Sequence, residues 1–129
     1  MKKLKNILLI DDDSISNILT KLHLQRLDIT EEVQIVTNGQ EGLDYLKKQC
    51  SPELILLDIN MPVMDGFEFL EQFVDLPLTD KPIIVMYTSS SDPKDIKKAE
   101  SFHVAGYINK PFTREKLYAI LDKLGWFSA

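Results

Sequence analysis

Carboxylates stand in two places along this chain where they could do chemistry. The run Asp11-Asp12-Asp13 closes the apolar stretch Ile7–Ile10, and Asp58 closes Leu54–Leu57. Two other apolar stretches end in different functional groups. Ile83–Tyr87 runs into Thr88-Ser89-Ser90-Ser91, and Ala105–Ile108 into Asn109-Lys110-Pro111. If these ends meet, one rim collects several carboxylates, several hydroxyls and one ammonium. Carboxylates packed that closely repel one another. A hard divalent cation removes the repulsion, and oxygen-only ligands with room for water suit Mg²⁺. The lysine and the hydroxyls suit an anion on the other side of that cation. Such a set fits a phosphoryl group attached to, or passing to, a carboxylate. Asp58 is the candidate nucleophile, because it ends a strand of buried composition and a sharp loop, Ile59–Asp65, leaves at once.

The elements that must position these residues are legible as periodicity. Five short runs, Ile7–Ile10, Val33–Val36, Leu54–Leu57, Ile83–Tyr87 and Ala105–Ile108, are too short for helices. Continuous rather than alternating apolar runs predict strands covered on both faces, as in a parallel sheet. Helical faces lie between them. They are marked by Ile15, Ile18, Leu19 and Leu22; by Leu43, Tyr45 and Leu46; by Phe67, Leu70 and Val74; by Ile96, Ala99 and Phe102; and by Leu117, Ile120, Leu121 and Leu124. Start signals agree: Thr37 with Gln40 or Asn38 with Glu41, Asp65 before Gly66, Asp92 before Pro93, and Thr113. Five β-α repeats imply a doubly wound α/β fold with right-handed crossovers and helices on both faces. Ligands of such sheets bind outside the carboxyl ends of the strands, where the chemistry-bearing residues fall.

Composition narrows the class. The 129 residues are enough for one core, and 44% are apolar. A net charge of −5 argues against a bulk electrostatic grip on nucleic acid or an anionic membrane. Cys50 is the only cysteine, so no intrachain disulfide can form. The lysine-led start reaches three aspartates too soon for a signal peptide, and no segment approaches a membrane span of about 18 apolar residues. The expectation is a single domain over residues 1–129 with no effector domain, soluble and cytoplasmic.

In order, ILLIDDD, LILLDINMPVMDG, IVMYTSS and GYINKPF resemble the receiver domain of two-component response regulators, over nearly the whole chain. The resemblance implies a flavodoxin-like (βα)5 sandwich of three layers, with its five-stranded parallel sheet in the order 2-1-3-4-5. It implies that Asp58 accepts a phosphoryl group from a histidine kinase or a histidine phosphotransfer protein. Asp12 would ligate Mg²⁺ directly, Asp11 through water, and Asn60 through its backbone carbonyl, with Asp58 completing the set. Asp13 stays outside the metal set. Thr88 matches the switch hydroxyl, Ser89 lends a backbone N–H, and Lys110 matches the lysine that pairs with the phosphoryl oxygens. The Lys110–Pro111 bond is typically cis in relatives. Asn60 and Ser90 fall where side chains tune the decay of the acyl phosphate; both are uncharged and modest in size.

By the same resemblance, Tyr107 is the aromatic switch on strand five. Phosphorylation would draw Thr88 inward and let the tyrosine ring swing from exposed to buried, a population shift between two packings. The output face would be helix four, strand five and helix five, acting on an unknown protein partner, with the chain monomeric or a phosphorylation-linked homodimer. Such a domain catalyses only its own phosphorylation and dephosphorylation and is not otherwise an enzyme.

Blander roles suit other residues. Asp13 or Ser14 can cap a helix, and Ser91 fits an ordinary loop. His23 and His103, in helical segments, have no partner at metal spacing. Cys50 reads as a partly buried helix end, Met61 and Met64 as loop packing, and Trp126 with Phe127 as a cover for the core. An aspartate-nucleophile phosphatase would want an acid where Asn60 stands. A flavodoxin-type carrier would not place three acids after strand one. A receiver-like interaction module that works without phosphorylation is the remaining alternative.

Overall fold

Ten elements alternate along the chain in the computed structural model, which describes residues 3–48 and 51–127. They are β1 (Leu4–Ile10), α1 (Ser14–Arg26), β2 (Thr30–Val36), α2 (Gly39–Lys48), β3 (Leu54–Leu57), α3 (Gly66–Phe73), β4 (Ile83–Thr88), α4 (Pro93–Ser101), β5 (Gly106–Asn109) and α5 (Arg114–Lys123). All strand pairs are parallel and the order is β2-β1-β3-β4-β5. The expected doubly wound topology is therefore present. Cys50 lies outside the described residues.

The period of two along the central strands divides the core into two layers. Leu8, Ile10, Ile55 and Leu57 face one way, against Leu43 and Leu46 of α2, Phe67, Phe69, Leu70 and Phe73 of α3, and Ala99 of α4. Ile7, Leu9, Leu54 and Leu56 face the other way, against Leu24 of α1 and Leu117 and Leu121 of α5. Strands sandwiched like this read as unbroken apolar runs, and β3 matches its predicted bounds to the residue. The edge strand β2 does not. Its first half carries the exposed Glu31 and Glu32, so only its second half gives the apolar signal.

One predicted face is corrected, and two others lose their last member, since Val74 and Leu124 follow α3 and α5 and are 51% and 49% exposed. Helix α1 forms, but Ile15, Ile18, Leu19 and Leu22 point to solvent, 51–70% exposed. The buried side of α1 is instead Asn17, Thr20 and Leu24. Two polar residues occupy the core side because each has a buried partner. Asn17 donates through Nδ2 to the Asp11 carbonyl at 2.8 Å, and Thr20 shares a 2.9 Å hydrogen bond with the Tyr87 hydroxyl. The apolar period of α1 thus marks an outer surface.

The caps follow the sequence closely. Asp13 accepts from Ile15 and Ser16 N–H and so opens α1. Asp65 and Glu68 form a reciprocal box on α3; Asp92 caps α4 ahead of Pro93; Thr113 caps α5. On α2, Asn38 accepts the Glu41 N–H, while the Glu41 carboxylate returns to Thr37 N–H rather than to Asn38. His103 follows α4 rather than lying within it, at a positive φ of 59°. Met64 is buried, and Trp126 packs half-buried on the α1–α5 layer beside the more exposed Phe127.

The loop after β3 is held by close approach. A side chain on Gly66 would run into the Asp58 carbonyl oxygen and meet the Ile59 Cα at 3.0 Å, so only glycine fits. Within this loop Met64 N–H donates to the Pro62 carbonyl at 2.7 Å, closing a γ-turn around Val63 with φ of 68°. A β-branched residue is strained at positive φ, and Val63 is 82% exposed, so no core packing offsets the strain. Val63→Asn should therefore raise the unfolding free energy by about 1 kcal/mol. Urea titration checks this: an unchanged or lower midpoint would show that Val63 is not strained.

Candidate functional site

The strand ends meet at one rim because the parallel ladder continues one residue past each strand. Asp11 N–H donates to the Val36 carbonyl at 3.0 Å, Asp58 N–H to Ile10 at 2.9 Å, and Lys110 N–H to Thr88 at 2.9 Å. Each reactive residue is thus fixed by the sheet. The expected convergence of Asp11, Asp12, Asp58, Thr88 and Lys110 is observed.

Asp11, Asp12 and Asp58 each bring a carboxylate oxygen within 4.8 Å of the other two. Asp11 is fully buried, Asp58 is 8% exposed and Asp12 opens to solvent. Burial first, and then the neighbouring Asp11 charge, push the Asp58 carboxyl up to about 6; hydrogen bonds from Thr88 and the Ile59 N–H, with the Lys110 charge, act against that rise. Most of the group is still ionised at neutral pH. Asn60 sits exposed two residues further on. Two buried anions beside a third at the solvent edge form an all-oxygen donor set, which fits Mg²⁺ and leaves room for water ligands. Asp13 is occupied as a helix cap, in keeping with its exclusion from that set.

Lys110 answers the acids. Its Nζ lies 2.5 Å from Asp11 Oδ2 and 5.4 Å from the centre of the Tyr87 ring. Burial alone would lower the Lys110 pKa, but the hydrogen bond and charge of Asp11, helped by Asp58 and Tyr87, raise it overall. The ammonium therefore stays charged. The Lys110–Pro111 peptide is cis, as the resemblance implies. Lys116 donates through Nζ to the Asn109 and Pro111 carbonyls at 3.0 and 3.1 Å, bracketing Lys110.

Thr88 is 1% exposed, and its hydroxyl holds the Asp58 pKa down against burial. The Ser90 N–H in turn donates to Thr88 Oγ1 at 3.2 Å. Ser90 turns its hydroxyl to Asp95 of α4 at 2.6 Å. Tyr107 is half-buried, and its hydroxyl donates to the Ser90 carbonyl at 2.9 Å. Burial raises the Tyr107 pKa, so the phenol remains a donor. Four residues have roles here that the sequence did not reveal: Asn17, Thr20, Tyr87 and Asn109. Asn17 and Thr20 lie one helical turn apart on α1, a polar pair that hinted at a special face. Asn109 carried no periodic signal.

Comparisons with known proteins agree with this geometry. The response regulator receiver domain matches residues 7–122. The chemotaxis protein CheY of Halobacterium salinarum is 32% identical over 93% of this chain and 97% of its own length. Other curated relatives are longer, and the chain spans 50% of one and 52% of another. A two-component response regulator from Cytophaga hutchinsonii superposes with a TM-score of 0.84 at 34% identity, covering 95% of this chain and 98% of the other. The phosphorylated cyanobacterial phytochrome response regulator RcpA superposes with a TM-score of 0.77 at 29% identity, covering 97% and 95%. No helix among the described residues is long and apolar enough to cross a membrane. With this fold, this rim and these relatives, the chain belongs to the response regulator receiver domains of two-component systems.

Proposed function

We propose that Asp58 accepts a phosphoryl group from a phosphohistidine on a kinase or phosphotransfer protein, in a Mg²⁺-dependent reaction, and that the change is read on the face made by α4, β5 and α5. The observation that carries this is the meeting of Asp58, Asp11, Asp12, Thr88 and Lys110 at one rim. That RcpA, with the same fold, is described as phosphorylated supports the reading.

The ionised Asp58 carboxylate attacks phosphorus. A new O–P bond forms as the N–P bond breaks, and the departing imidazole keeps the electron pair. Asp58 transfers no proton, so a carboxylate with a pKa near 6 is ready at neutral pH. Lys110 shifts its ammonium from Asp11 toward a phosphoryl oxygen, and Thr88 turns its hydroxyl from the carboxylate to another. Mg²⁺, held by Asp11, Asp12, Asp58 and the Asn60 carbonyl, would neutralise charge on the transferring group. The protein then acts on its own modification only. Intact mass after incubation with acetyl phosphate tests the assignment. A Mg²⁺-dependent phosphoryl adduct is expected in the native chain and none in Asp58→Asn. A folded native chain without adduct would leave the phosphorylation-independent interaction module.

The outward apolar face of α1 fits the donor. Ile15, Ile18, Leu19 and Leu22 recur at helical spacing on one side and are all exposed. Ile15, Leu19 and Leu22 border a groove of about 680 Å³ that also reaches Lys110, Pro111 and Phe112. A helical donor seated on this seam would lie beside the acceptor rim. Leu19→Glu should cut transfer from a phosphohistidine protein at least tenfold, since a charge is buried in an apolar contact. Its labelling by acetyl phosphate and its melting temperature should stay unchanged. Equal loss with both donors would mean that α1 supports the site rather than the docking.

A further inference from the structure

The Ser90 carbonyl accepts two hydrogen bonds, both from β5. Tyr107 supplies one through its hydroxyl at 2.9 Å and Asn109 supplies the other through Nδ2 at 2.6 Å. The same Nδ2 lies 3.5 Å from the Thr88 carbonyl. Ser90 is engaged on its other side as well, because its N–H donates to Thr88 Oγ1. The Thr88 hydroxyl in turn acts on the Asp58 carboxyl, whose pKa it lowers. Hydrogen bonds thus lead from Asn109 through the loop after β4 to Thr88, the hydroxyl beside the acceptor carboxylate.

The two donors differ in what they depend on. Tyr107 reaches Ser90 only while its ring is turned toward the loop, and rotation of that long side chain breaks the bond. Asn109 has a short side chain on an anchored backbone. It pairs with Thr88 in the sheet register, and its own carbonyl is held by Lys116 Nζ. Its bond to Ser90 needs no particular position of the Tyr107 ring.

We infer that Asn109 is a positioning residue: through the Ser90 carbonyl it holds the loop after β4 so that Thr88 Oγ1 faces Asp58 before any phosphoryl group arrives. The reading of Asp58 as acceptor underlies this inference. The loop is therefore set by two donors rather than by Tyr107 alone. Loss of either leaves one, and loss of both frees the segment.

Amide hydrogen exchange in unphosphorylated, metal-free protein tests this without relying on phosphorylation. Asn109→Leu keeps the volume and removes the donor. The Ser90 amide should exchange about tenfold faster, as expected for one lost hydrogen bond, with β1 and β3 amides unchanged. Asn109→His, which restores an N–H at similar reach, should recover most of the protection. Tyr107→Phe alone should have a similar small effect, and the double variant should exceed the sum of the two. With acetyl phosphate, Asn109→Leu should slow labelling without moving the half-saturating concentration. Unchanged exchange at Ser90 in Asn109→Leu would overturn the assignment. So would a uniform rise across the sheet, or a failure of histidine to restore protection. A native chain that takes no phosphoryl group while the exchange pattern holds would instead refute the acceptor reading and leave the positioning role intact.

Discussion

Asp58→Asn should yield a protein that carries no phosphoryl group yet unfolds at higher denaturant than the native chain in the presence of chelator. The native carboxyl has a pKa of about 6 because it is buried beside Asp11, against 3.8 for the ordinary group. Below pH about 4 both folded and unfolded chains hold the proton, and the group contributes nothing. As pH rises from 4 to 6 the unfolded chain releases its proton first. The folded state then binds more protons than the unfolded, so stability falls with pH and the full cost is present above pH 6. Two pKa units correspond to about 3 kcal/mol. Asparagine has the same shape and no charge, so it removes this cost. We expect Asp58→Asn to gain about 1–3 kcal/mol at pH 7.5 in chelator, and little at pH 4. Added Mg²⁺ should stabilise the native chain and narrow the difference, since the cation binds the folded carboxylates. Urea titrations at the two pH values check this. A variant less stable than the native chain at pH 7.5 would mean that the Asp58 charge is not strained in the free protein.

That cost explains where the sequence was informative and where it was not. A charged residue closing a buried strand is a local conflict, and such conflicts collect at functional sites. Asp11, Asp58 and Thr88 were visible because each closes a run that must lie inside, and Lys110 because it stands just beyond one. The strands were visible because two covered faces leave no polar positions, and the caps because their chemistry is local. Helix α1 misled for the opposite reason. Its apolar stripe covers no core, while Asn17 and Thr20 point inward to serve the Asp11 carbonyl and the Tyr87 hydroxyl. Periodicity reports that a helix has an apolar side; it does not say whether the sheet or a partner covers it. Asn109 was hidden because its partner, the Ser90 carbonyl, is a backbone atom brought close only by the β4–β5 pairing. No side-chain pattern encodes such a contact.

Lys110→Met should have the opposite effect on stability from Asp58→Asn, and a further effect on metal affinity. The Lys110 ammonium lies 2.5 Å from Asp11, whose carboxylate is fully buried. Methionine fills a similar volume but leaves Asp11 and Asp58 facing each other without a cation. Breaking a buried pair by removing one partner costs about 3–5 kcal/mol. The lysine side chain is 17% exposed, so water relieves part of this, and we expect the lower end of that range in chelator. The pH dependence should steepen, because Lys110 no longer holds down the pKa of Asp58. Divalent binding should then strengthen, because the cation no longer competes with an ammonium for Asp11. Titration calorimetry with Mg²⁺ should show affinity at least several-fold tighter than in the native chain, and Mg²⁺ should restore much of the lost stability. Labelling by acetyl phosphate should nonetheless fall by about 10²-fold or more, because the charge facing the phosphoryl oxygens is gone. Tighter metal binding with slower transfer separates two roles for one ammonium: balancing the acids at rest and the phosphoryl oxygens in reaction. Weaker Mg²⁺ binding in Lys110→Met would refute that division and make the lysine an organiser of the metal site itself.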